Sequence, residues 1–283
     1  MSKIAFIFPG QGAQTCGMGK DFYEHTETGR KVFDKATELL GFSVPELCFE
    51  PNDRLDITEY TPEAMVTASI AMMKVLEENG VKPDVAAGLS LGEYCALVAA
   101  GVMTADDAIR TVRERGILMQ EAVPAGVGGM SAVLGMTADE INAVVDEIPN
   151  VQVANYNCPG QIVISGLKEA VEIAAVKLKE AGARRVIPLN VSGPFHSYLL
   201  EEAGEKLGRF LENIPVSEPK IPYVANVTAA YVTKAEDVKP LLTRQVSSSV
   251  RWQQSVETML ADGVDRFIEI GPGKTLAGFI RKI

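Results

Sequence analysis

The segment Gly88-Leu89-Ser90-Leu91-Gly92 places one serine hydroxyl between two glycines. An apolar run precedes it and the helix-like stretch "LGEYCALVAA" follows, so the pattern fits the G-x-S-x-G turn that exposes a nucleophilic serine. The glycines suit such a turn because neighbouring backbones approach each other closely there. Two interpretations stand side by side on this pattern alone: Ser90 is either a nucleophile or the N-terminal cap of the following helix.

A serine nucleophile needs a base, which is usually histidine, and the chain contains only two histidines. His25 lies in the polar stretch "DFYEHTETG", where we expect a solvent-exposed side chain. His196 lies in "NVSGPFHSYLL", after a predicted strand and a Gly-Pro turn, and α/β sheets commonly build their sites at strand ends. His196 is therefore the candidate base. Either an acid that the spacing does not identify or a backbone carbonyl would orient its ring.

The helix-like segment "TADDAIRTVRERGILMQEAV" carries three arginines that differ in position relative to its apolar face. At helical periodicity Arg110 points away from that face, whereas Arg113 and Arg115 both border it. An arginine at such an edge pairs with a carboxylate of the protein or binds an anionic substrate. Periodicity does not choose between Arg113 and Arg115.

The loop "FPGQGAQTCGMG" follows the first predicted strand and is rich in glycine. It lacks the P-loop sequence and does not complete the dinucleotide-binding glycine pattern, so phosphate binding is not indicated. We expect its backbone to approach another part of the site, with the side chain or the N–H of Gln11 as a hydrogen-bond donor.

Strands and helices alternate along both ends of the chain, which predicts a mainly parallel sheet covered on both faces, an α/β architecture. The predicted strands are 3–8, 85–89, 221–225 and 265–270, and the predicted helices are 29–40, 62–79, 90–100, 105–122, 198–213, 236–246 and 252–262.

The middle of the chain has a different order of elements. "GGMSAVLG", "TADEINAVVDEI", "VQVANYN", "QIVISG", "LKEAVEIAAVKLKEAG" and "RRVIPLNV" read as β-α-β-β-α-β, the order of a ferredoxin-like unit. Turn-rich segments flank it on both sides. We therefore predict a ferredoxin-like insert at 125–193 within a discontinuous large domain formed by 1–124 and 194–283.

Composition excludes several classes of function. The net charge of −10 argues against nucleic acid as a partner, and no apolar run is long enough to span a membrane. The N-terminus lacks a signal-peptide pattern, and the four cysteines form no C-x-x-C pair, so we expect free thiols and a cytoplasmic protein. With two histidines, we expect no metal site.

Six strings of the chain occur in the order and approximate spacing of one family: "FPGQGAQ", "GLSLGEY", "RGILMQEAVPAG", "NCPGQIVISG", "GPFHS" and "EIGPGKTL". The chain resembles the malonyl-CoA:acyl-carrier-protein transacylases of fatty-acid and polyketide synthesis along essentially its whole length. The resemblance implies a hydrolase-like α/β fold with a ferredoxin-like insert. It also implies ping-pong transfer of a malonyl group from malonyl-CoA to the pantetheine thiol of acyl carrier protein, with no resident cofactor.

Site roles follow from the resemblance at matching positions. It makes Ser90 the nucleophile and His196 its base, and it selects Arg115 as the residue that binds the malonyl carboxylate. The backbone N–H groups of Gln11 and Leu91 would form the oxyanion hole.

The resemblance also assigns Gln245, in "TRQVSSSVRW", as the residue whose backbone carbonyl holds the histidine ring. One position departs from the family pattern: Leu89 stands where many members have histidine before the nucleophile, which puts in doubt any contact that histidine makes beside the acyl pocket. The chain also ends sooner after "GPGKTLAGFI" than is usual, so we expect a C-terminal helix of the family to be missing.

Acyl carrier proteins are usually acidic, so we expect a local basic docking surface on this acidic chain. Its candidates lie in the insert: Lys177, Lys179, Arg184 and Arg185. Three alternatives to the fatty-acid enzyme are an acyltransferase of a polyketide pathway, a serine esterase or thioesterase with the same turn, and a non-catalytic protein that has kept the fold.

Overall fold

The computed structural model describes residues 2–124, 126–191 and 193–283. The strands are β1 (Lys3–Phe8), β2 (Val85–Gly88), β3 (Gly128–Leu134), β4 (Val151–Cys158), β5 (Gln161–Leu167), β6 (Arg185–Pro188), β7 (Tyr223–Val224), β8 (Tyr231–Val232) and β9 (Val264–Glu269). The helices are α1 (Lys20–His25), α2 (Glu27–Leu40), α3 (Val44–Phe49), α4 (Thr61–Glu78), α5 (Gly92–Ala99), α6 (Ala105–Ala122), α7 (Ala138–Val145), α8 (Lys168–Glu180), α9 (Glu201–Leu211), α10 (Ala235–Gln245), α11 (Trp252–Ala261) and α12 (Thr275–Ile280), and a 3-10 turn at Tyr198–Leu200 precedes α9.

The larger sheet has the strand order β8-β7-β2-β1-β9. Every pair within β7-β2-β1-β9 is parallel, and only β8 runs antiparallel to its neighbour. The predicted α/β architecture with a mainly parallel sheet is therefore confirmed.

Both faces of this sheet are covered, and the alternation of side chains along β1 shows how. Phe6 and Phe8 point into the larger core, which includes residues of α4 and α5. Ala5 and Ile7 point the other way, into a core formed with α11 and α12 around Trp252. Because both faces are buried, β1 consists almost entirely of apolar residues.

Residues 128–188 form a second, antiparallel sheet with the strand order β4-β5-β3-β6. Helices α7 and α8 cover it and enclose a separate apolar core that includes Ile141 and Leu178. A capping box starts α7: the Thr137 side chain accepts from the Glu140 backbone, and the Glu140 side chain accepts from the Thr137 backbone.

Strand β4 joins the second sheet to the segment that follows α10. The Val250 N–H donates to the Ala154 carbonyl at 2.8 Å, and the Tyr156 N–H donates to the Val250 carbonyl at 2.9 Å. The Ser249 hydroxyl donates to the Val153 carbonyl at 2.6 Å. The second sheet thus fixes the backbone directly after Gln245, the C-terminal residue of α10.

Most predicted elements outside the middle segment are present, and the differences have local causes. Two helical segments of six residues, α1 and α3, and the two-residue strand β8 were not predicted because they are shorter than the periodicity that identifies an element. Helix α12 lies within "GPGKTLAGFI", which was not assigned a structure. The strand predicted at 221–225 contains only two paired residues.

None of the helices in the described ranges has the length and apolar character needed to cross a membrane.

Two close backbone approaches shape the turn between β2 and α5. A Cβ atom at Gly88 would overlap the backbone carbonyl of Gly92, and one at Gly92 would overlap the carbonyl of Phe8. Neither glycine tolerates a side chain, because the atoms in the way belong to the backbone and cannot rotate aside.

We predict that Gly88→Ala lowers the free energy of unfolding by at least about 2 kcal/mol, since the strand and the helix must separate to admit the methyl group. Gly278→Ala is the matched control, because a Cβ at Gly278 meets no atom within 4 Å. Urea denaturation followed by circular dichroism measures both. Equal stability of the two variants would contradict the close-packed turn.

Candidate active site

Ser90 lies in the turn between β2 and α5 with φ at 50°, a left-handed conformation that is uncommon for residues other than glycine. Its backbone is held by two side chains from distant parts of the chain. The Ser90 N–H donates to Asn226 Oδ1 at 2.6 Å, and the Ser90 carbonyl accepts from Gln245 Nε2 at 2.9 Å. Asn226 also donates from Nδ2 to the Gly88 carbonyl at 2.6 Å, so its amide spans the turn.

The Ser90 hydroxyl oxygen lies 2.7 Å from Nε2 of His196. On the other side of the ring, Nδ1 lies 2.8 Å from the backbone carbonyl of Gln245. A carbonyl oxygen can only accept, so Nδ1 carries the ring proton and donates it. Nε2 of the neutral ring therefore presents its lone pair to the Ser90 hydroxyl, which is the arrangement of a nucleophile and its general base.

His196 is only 3% exposed and is also held with a positive φ, 56°. The side chain of Gln152, on β4, donates to the His196 carbonyl at 3.2 Å and accepts from the Tyr198 N–H at 3.0 Å. Burial lowers the pKa of His196 to about 4, with a further contribution from the nearby Arg115 charge and an opposing one from the hydrogen bond to the Gln245 backbone. The imidazole is therefore neutral at pH 7, as a general base must be.

Arg115 lies in the same site, buried with 3% of its surface exposed. Its Nη2 donates to the Ser90 hydroxyl oxygen at 3.1 Å and to Gln245 Oε1 at 3.2 Å. Its Nε is buried and donates to no group within the described part of the chain. Burial lowers the pKa of Arg115, while the charges of Tyr94 and Glu93 act in the opposite direction. A buried guanidinium with an unused donor is suited to bind a carboxylate.

Arg113 differs from Arg115 in its surroundings. Its guanidinium forms ion pairs with Glu59 at 2.7 Å and with Glu63 at 2.9 Å, and it lies 4.9 Å from the centre of the Tyr60 ring. Two carboxylates thus occupy its donors. The question that helical periodicity left open is decided by these contacts: Arg113 pairs within the protein, and Arg115 faces Ser90.

Glu93, on the first turn of α5, is 1% exposed and has no counterpart among the predicted site residues. Its Oε2 accepts from Gln245 Nε2 at 2.8 Å and from the Asn226 N–H at 3.2 Å. Burial raises the pKa of Glu93 to about 7, against the effect of these two hydrogen bonds and of the Arg115 charge. One carboxylate oxygen of Glu93 therefore bonds to both residues whose side-chain amides hold the Ser90 backbone.

Leu91 directly precedes α5, and its N–H makes no hydrogen bond within residues 2–124, 126–191 and 193–283. The loop that carries Gln11 packs against the same turn, because a Cβ at Gly10 would lie 2.6 Å from the Leu89 carbonyl and 2.9 Å from its Cδ2. The Gln11 side chain donates to the Thr58 hydroxyl at 2.9 Å. Leu89 itself is partly buried and packs against the core around α11 and α12.

Of the two histidines, His25 is exposed near the end of α1, as expected. Three further residues of the site were not predicted from the sequence: Asn226, Glu93 and Gln152. A signal was available for two of them: Asn226 follows a predicted strand of the parallel sheet, and Glu93 is a lone charge within an otherwise apolar helix. Gln152 has no such signal, since its contact depends on how β4 meets the His196 loop.

No group of three or more histidine, cysteine, aspartate or glutamate side chains in the described residues is arranged to hold a metal ion. No disulfide joins the four cysteines, all of which have free thiols.

We predict that the His196 imidazole stays neutral in solution down to about pH 5.5, because protonation would create a second buried charge beside Arg115. Titration of ring-labelled histidine by NMR measures this directly, and His196→Asn assigns the signal in a chain with two histidines. A titration of His196 centred near the ordinary value of 6.5 would contradict the buried, neutral base.

Comparison with known proteins gives one consistent result. Residues 5–282 match the family described as acyl transferase domain. A malonyl CoA-acyl carrier protein transacylase of Bacillus subtilis is 48% identical and covers 100% of this chain, with 91% of that protein aligned. An acyl carrier protein S-malonyltransferase structure from Vibrio cholerae superposes with a TM-score of 0.97 at 43% identity, covering 99% of this chain and 94% of that one.

A third relative is a malonyl-transacylase solved in complex with a type II PKS acyl-carrier protein. It superposes with a TM-score of 0.97 at 41% identity and covers 100% of this chain and 93% of that one. Similarity of this extent, over the whole chain in both sequence and fold, establishes the family: the chain is an acyltransferase that belongs to the malonyl CoA-acyl carrier protein transacylases.

Proposed function

We propose that the protein transfers the malonyl group of malonyl-CoA to the pantetheine thiol of acyl carrier protein and so supplies fatty-acid biosynthesis. One observation carries the proposal: a serine-histidine pair lies beside a buried arginine whose Nε has no partner among the described residues. A hydrolase for neutral esters has no need of that guanidinium, whereas a malonyl group brings a carboxylate to it.

In the proposed first half-reaction, Ser90 Oγ attacks the thioester carbonyl carbon of malonyl-CoA while Nε2 of His196 accepts the hydroxyl proton. The tetrahedral intermediate collapses with cleavage of the C–S bond, and His196 returns the proton to the departing sulfur. The products are CoA with a free thiol and a malonyl ester on Ser90.

In the second half-reaction, the pantetheine thiol of acyl carrier protein gives its proton to His196 and attacks the Ser90 ester. The ester C–O bond breaks, Ser90 takes back the proton, and the malonyl group leaves as a thioester of the carrier. Both half-reactions pass through an oxyanion, for which we assign the N–H groups of Leu91 and Gln11 as donors. The Leu91 N–H, directly before α5, has no hydrogen-bond partner among the described residues, which supports this assignment.

His196 can perform both proton transfers because the Gln245 carbonyl fixes its tautomer without adding a negative charge. We therefore assign Gln245 as the residue that orients the base, in the place of the carboxylate of a Ser-His-Asp triad. No metal or resident cofactor enters this scheme, since the thioester itself supplies the activated acyl group.

We also propose that 125–193 is a ferredoxin-like insert in a large domain formed by 1–124 and 194–283. Its strand order, β4-β5-β3-β6, and the separate core beneath α7 and α8 support this division. The insert presents the basic side chains proposed as the docking surface for the acidic carrier; all four are exposed, namely Lys177, Lys179, Arg184 and Arg185. A cytoplasmic location, where these partners meet, is consistent with the free thiols.

A second candidate is the same transfer within polyketide synthesis. The relative solved with a type II PKS acyl-carrier protein favours it, with 41% identity to this chain. The two functions share every proposed step and differ only in the carrier that accepts the malonyl group.

We predict that incubation with malonyl-CoA adds one malonyl mass to the intact protein, located on the peptide that contains Ser90. Ser90→Ala abolishes the adduct because it removes the attacking oxygen. Addition of carrier protein bearing its pantetheine arm should discharge the adduct onto that thiol. Absence of any adduct would contradict the acyl-enzyme, and loss of the adduct to water alone would indicate a thioesterase.

We predict that Arg115→Ala lowers kcat/KM for malonyl-CoA by roughly 10- to 100-fold, since a hydrogen bond to a charged group contributes about 1.5–3 kcal/mol. Transfer from acetyl-CoA, which has no carboxylate, should persist or increase. Arg110→Ala is the matched control, because that arginine is exposed on the same helix. Steady-state kinetics with both substrates measures the change. Unaltered malonyl kinetics in Arg115→Ala would exclude its role.

A further inference from the structure

Glu93 is the one buried charged group of this site that no step of the proposed reaction uses. We propose that Glu93 is a positioning residue: its carboxylate fixes the orientation of the Gln245 side-chain amide and, through that amide, holds Arg115 in the geometry that selects a carboxylated acyl group. This inference rests on the proposed malonyl transfer and concerns the origin of its selectivity.

The hydrogen bonds of the Gln245 side-chain amide determine its orientation. Its Nε2 carries two N–H groups, and both have acceptors: the Glu93 carboxylate at 2.8 Å and the Ser90 carbonyl at 2.9 Å. A flipped amide would place Oε1 against these two oxygens, with acceptor facing acceptor. Glu93 and the Ser90 carbonyl together therefore determine that Oε1 of Gln245 points the other way, towards Arg115.

Two hydrogen bonds donated by Nη2 hold the guanidinium of Arg115. Its Nη2 donates to Gln245 Oε1 at 3.2 Å and to the Ser90 hydroxyl oxygen at 3.1 Å. These two acceptors fix one corner of the guanidinium, while Nε has no partner in the described part of the chain. The planar group is thereby oriented with an unused donor, and a malonyl carboxylate finds a guanidinium already in position.

Glu93 acts on Arg115 through the Gln245 side-chain amide and not through a direct ion pair. No carboxylate oxygen of Glu93 lies within 4.0 Å of an Arg115 nitrogen among the ion pairs of the described residues, whereas the contact through Gln245 is complete. Position 93 must therefore supply an oxygen that accepts a hydrogen bond from Gln245 Nε2, and a glutamine at this position also has such an oxygen.

Glu93 Oε2 also stabilises the turn between β2 and α5 that carries Ser90. Glu93 Oε2 also accepts from the Asn226 N–H at 3.2 Å, and the Asn226 side chain holds the Ser90 N–H. The left-handed backbone of Ser90 is strained for a non-glycine residue and persists because its surroundings determine it. Loss of Glu93 therefore also lowers the fraction of active protein or the rate of Ser90 acylation with any acyl-CoA. The experiment must separate this general loss from a change in the preference for malonyl-CoA over acetyl-CoA.

The test compares two kcat/KM values for acylation of Ser90, one with malonyl-CoA and one with acetyl-CoA, and takes their ratio. The ratio does not depend on the folded fraction or on nucleophile strength, because both affect the two substrates alike. The variants are Glu93→Gln, which keeps an acceptor oxygen, Glu93→Met, which removes it, Gln245→Met, which keeps the backbone carbonyl for His196, and the double variant Glu93→Met/Gln245→Met.

We expect Glu93→Met and Gln245→Met each to lower the malonyl-to-acetyl ratio about tenfold. Gln245→Met removes the acceptor that orients Arg115, and Glu93→Met removes an acceptor that orients the Gln245 amide. Glu93→Gln should keep the ratio within about threefold of the unaltered protein. The double variant should match Gln245→Met, because residues that act in series are not additive. If Glu93→Met does not fold, Gln245→Met tests the same link to Arg115.

The proposal is overturned if the ratio is unchanged in Glu93→Met or Gln245→Met, if Glu93→Gln lowers it as far as Glu93→Met does, or if the two single effects multiply in the double variant. Failure of the proposed function has a different result, since the unaltered protein would then show no preference for malonyl-CoA at all.

Discussion

The site depends on one backbone constraint, the close contact between β2 and the start of α5. Gly88 and Gly92 approach each other and the end of β1 without room for a methyl group, so the chain turns within a few residues and Ser90 takes a left-handed conformation. The N–H of Leu91, the residue directly before α5, makes no hydrogen bond within the described part of the chain. The strain at Ser90 is typically about 1–3 kcal/mol for such a residue. Two hydrogen bonds of the Ser90 backbone offset it: the N–H donates to Asn226 Oδ1, and the carbonyl accepts from Gln245 Nε2.

His196, the proposed base, and Gln245, which contacts its ring, come from the C-terminal part of the chain, and the antiparallel sheet bonds to the backbone near both. Strand β4 bonds to the backbone at Val250, just after Gln245, and its Gln152 side chain bonds to the His196 carbonyl. The second sheet therefore contributes to the position of the imidazole although it supplies no atom that reacts. The carbonyl of Gln245 accepts from the His196 ring and its side-chain amide contacts Arg115, so a single residue contacts both the proposed base and the arginine proposed to bind the carboxylate.

Site residues could be predicted from the sequence where a residue type is rare, and strands and helices could be predicted where apolar residues recur at a regular spacing. Two histidines left His196 as the base by elimination, and apolar runs predicted β1 and β2 because both faces of the sheet are buried. Helical periodicity placed Arg113 and Arg115 equally well, since both border the apolar face of α6. The two arginines differ in partners that are distant in sequence. Arg113 forms ion pairs with Glu59 and Glu63. Arg115 donates hydrogen bonds to Ser90 and Gln245. Contacts of this kind depend on tertiary placement, which also explains why Gln152 was missed.

The central claim, that Ser90 carries a malonyl group whose carboxylate Arg115 binds, is tested most directly by a crystal structure of the acylated protein. Crystals of the unaltered protein soaked with malonyl-CoA in the absence of carrier protein should retain the adduct on Ser90, because the accepting pantetheine thiol is missing. We expect the carboxylate of the malonyl group on Ser90 to lie within hydrogen-bond distance of the Arg115 guanidinium. We expect its ester carbonyl oxygen to face the N–H groups of Leu91 and Gln11. A carboxylate directed into solvent, with Arg115 still bonded only to Ser90 and Gln245, would contradict the central claim.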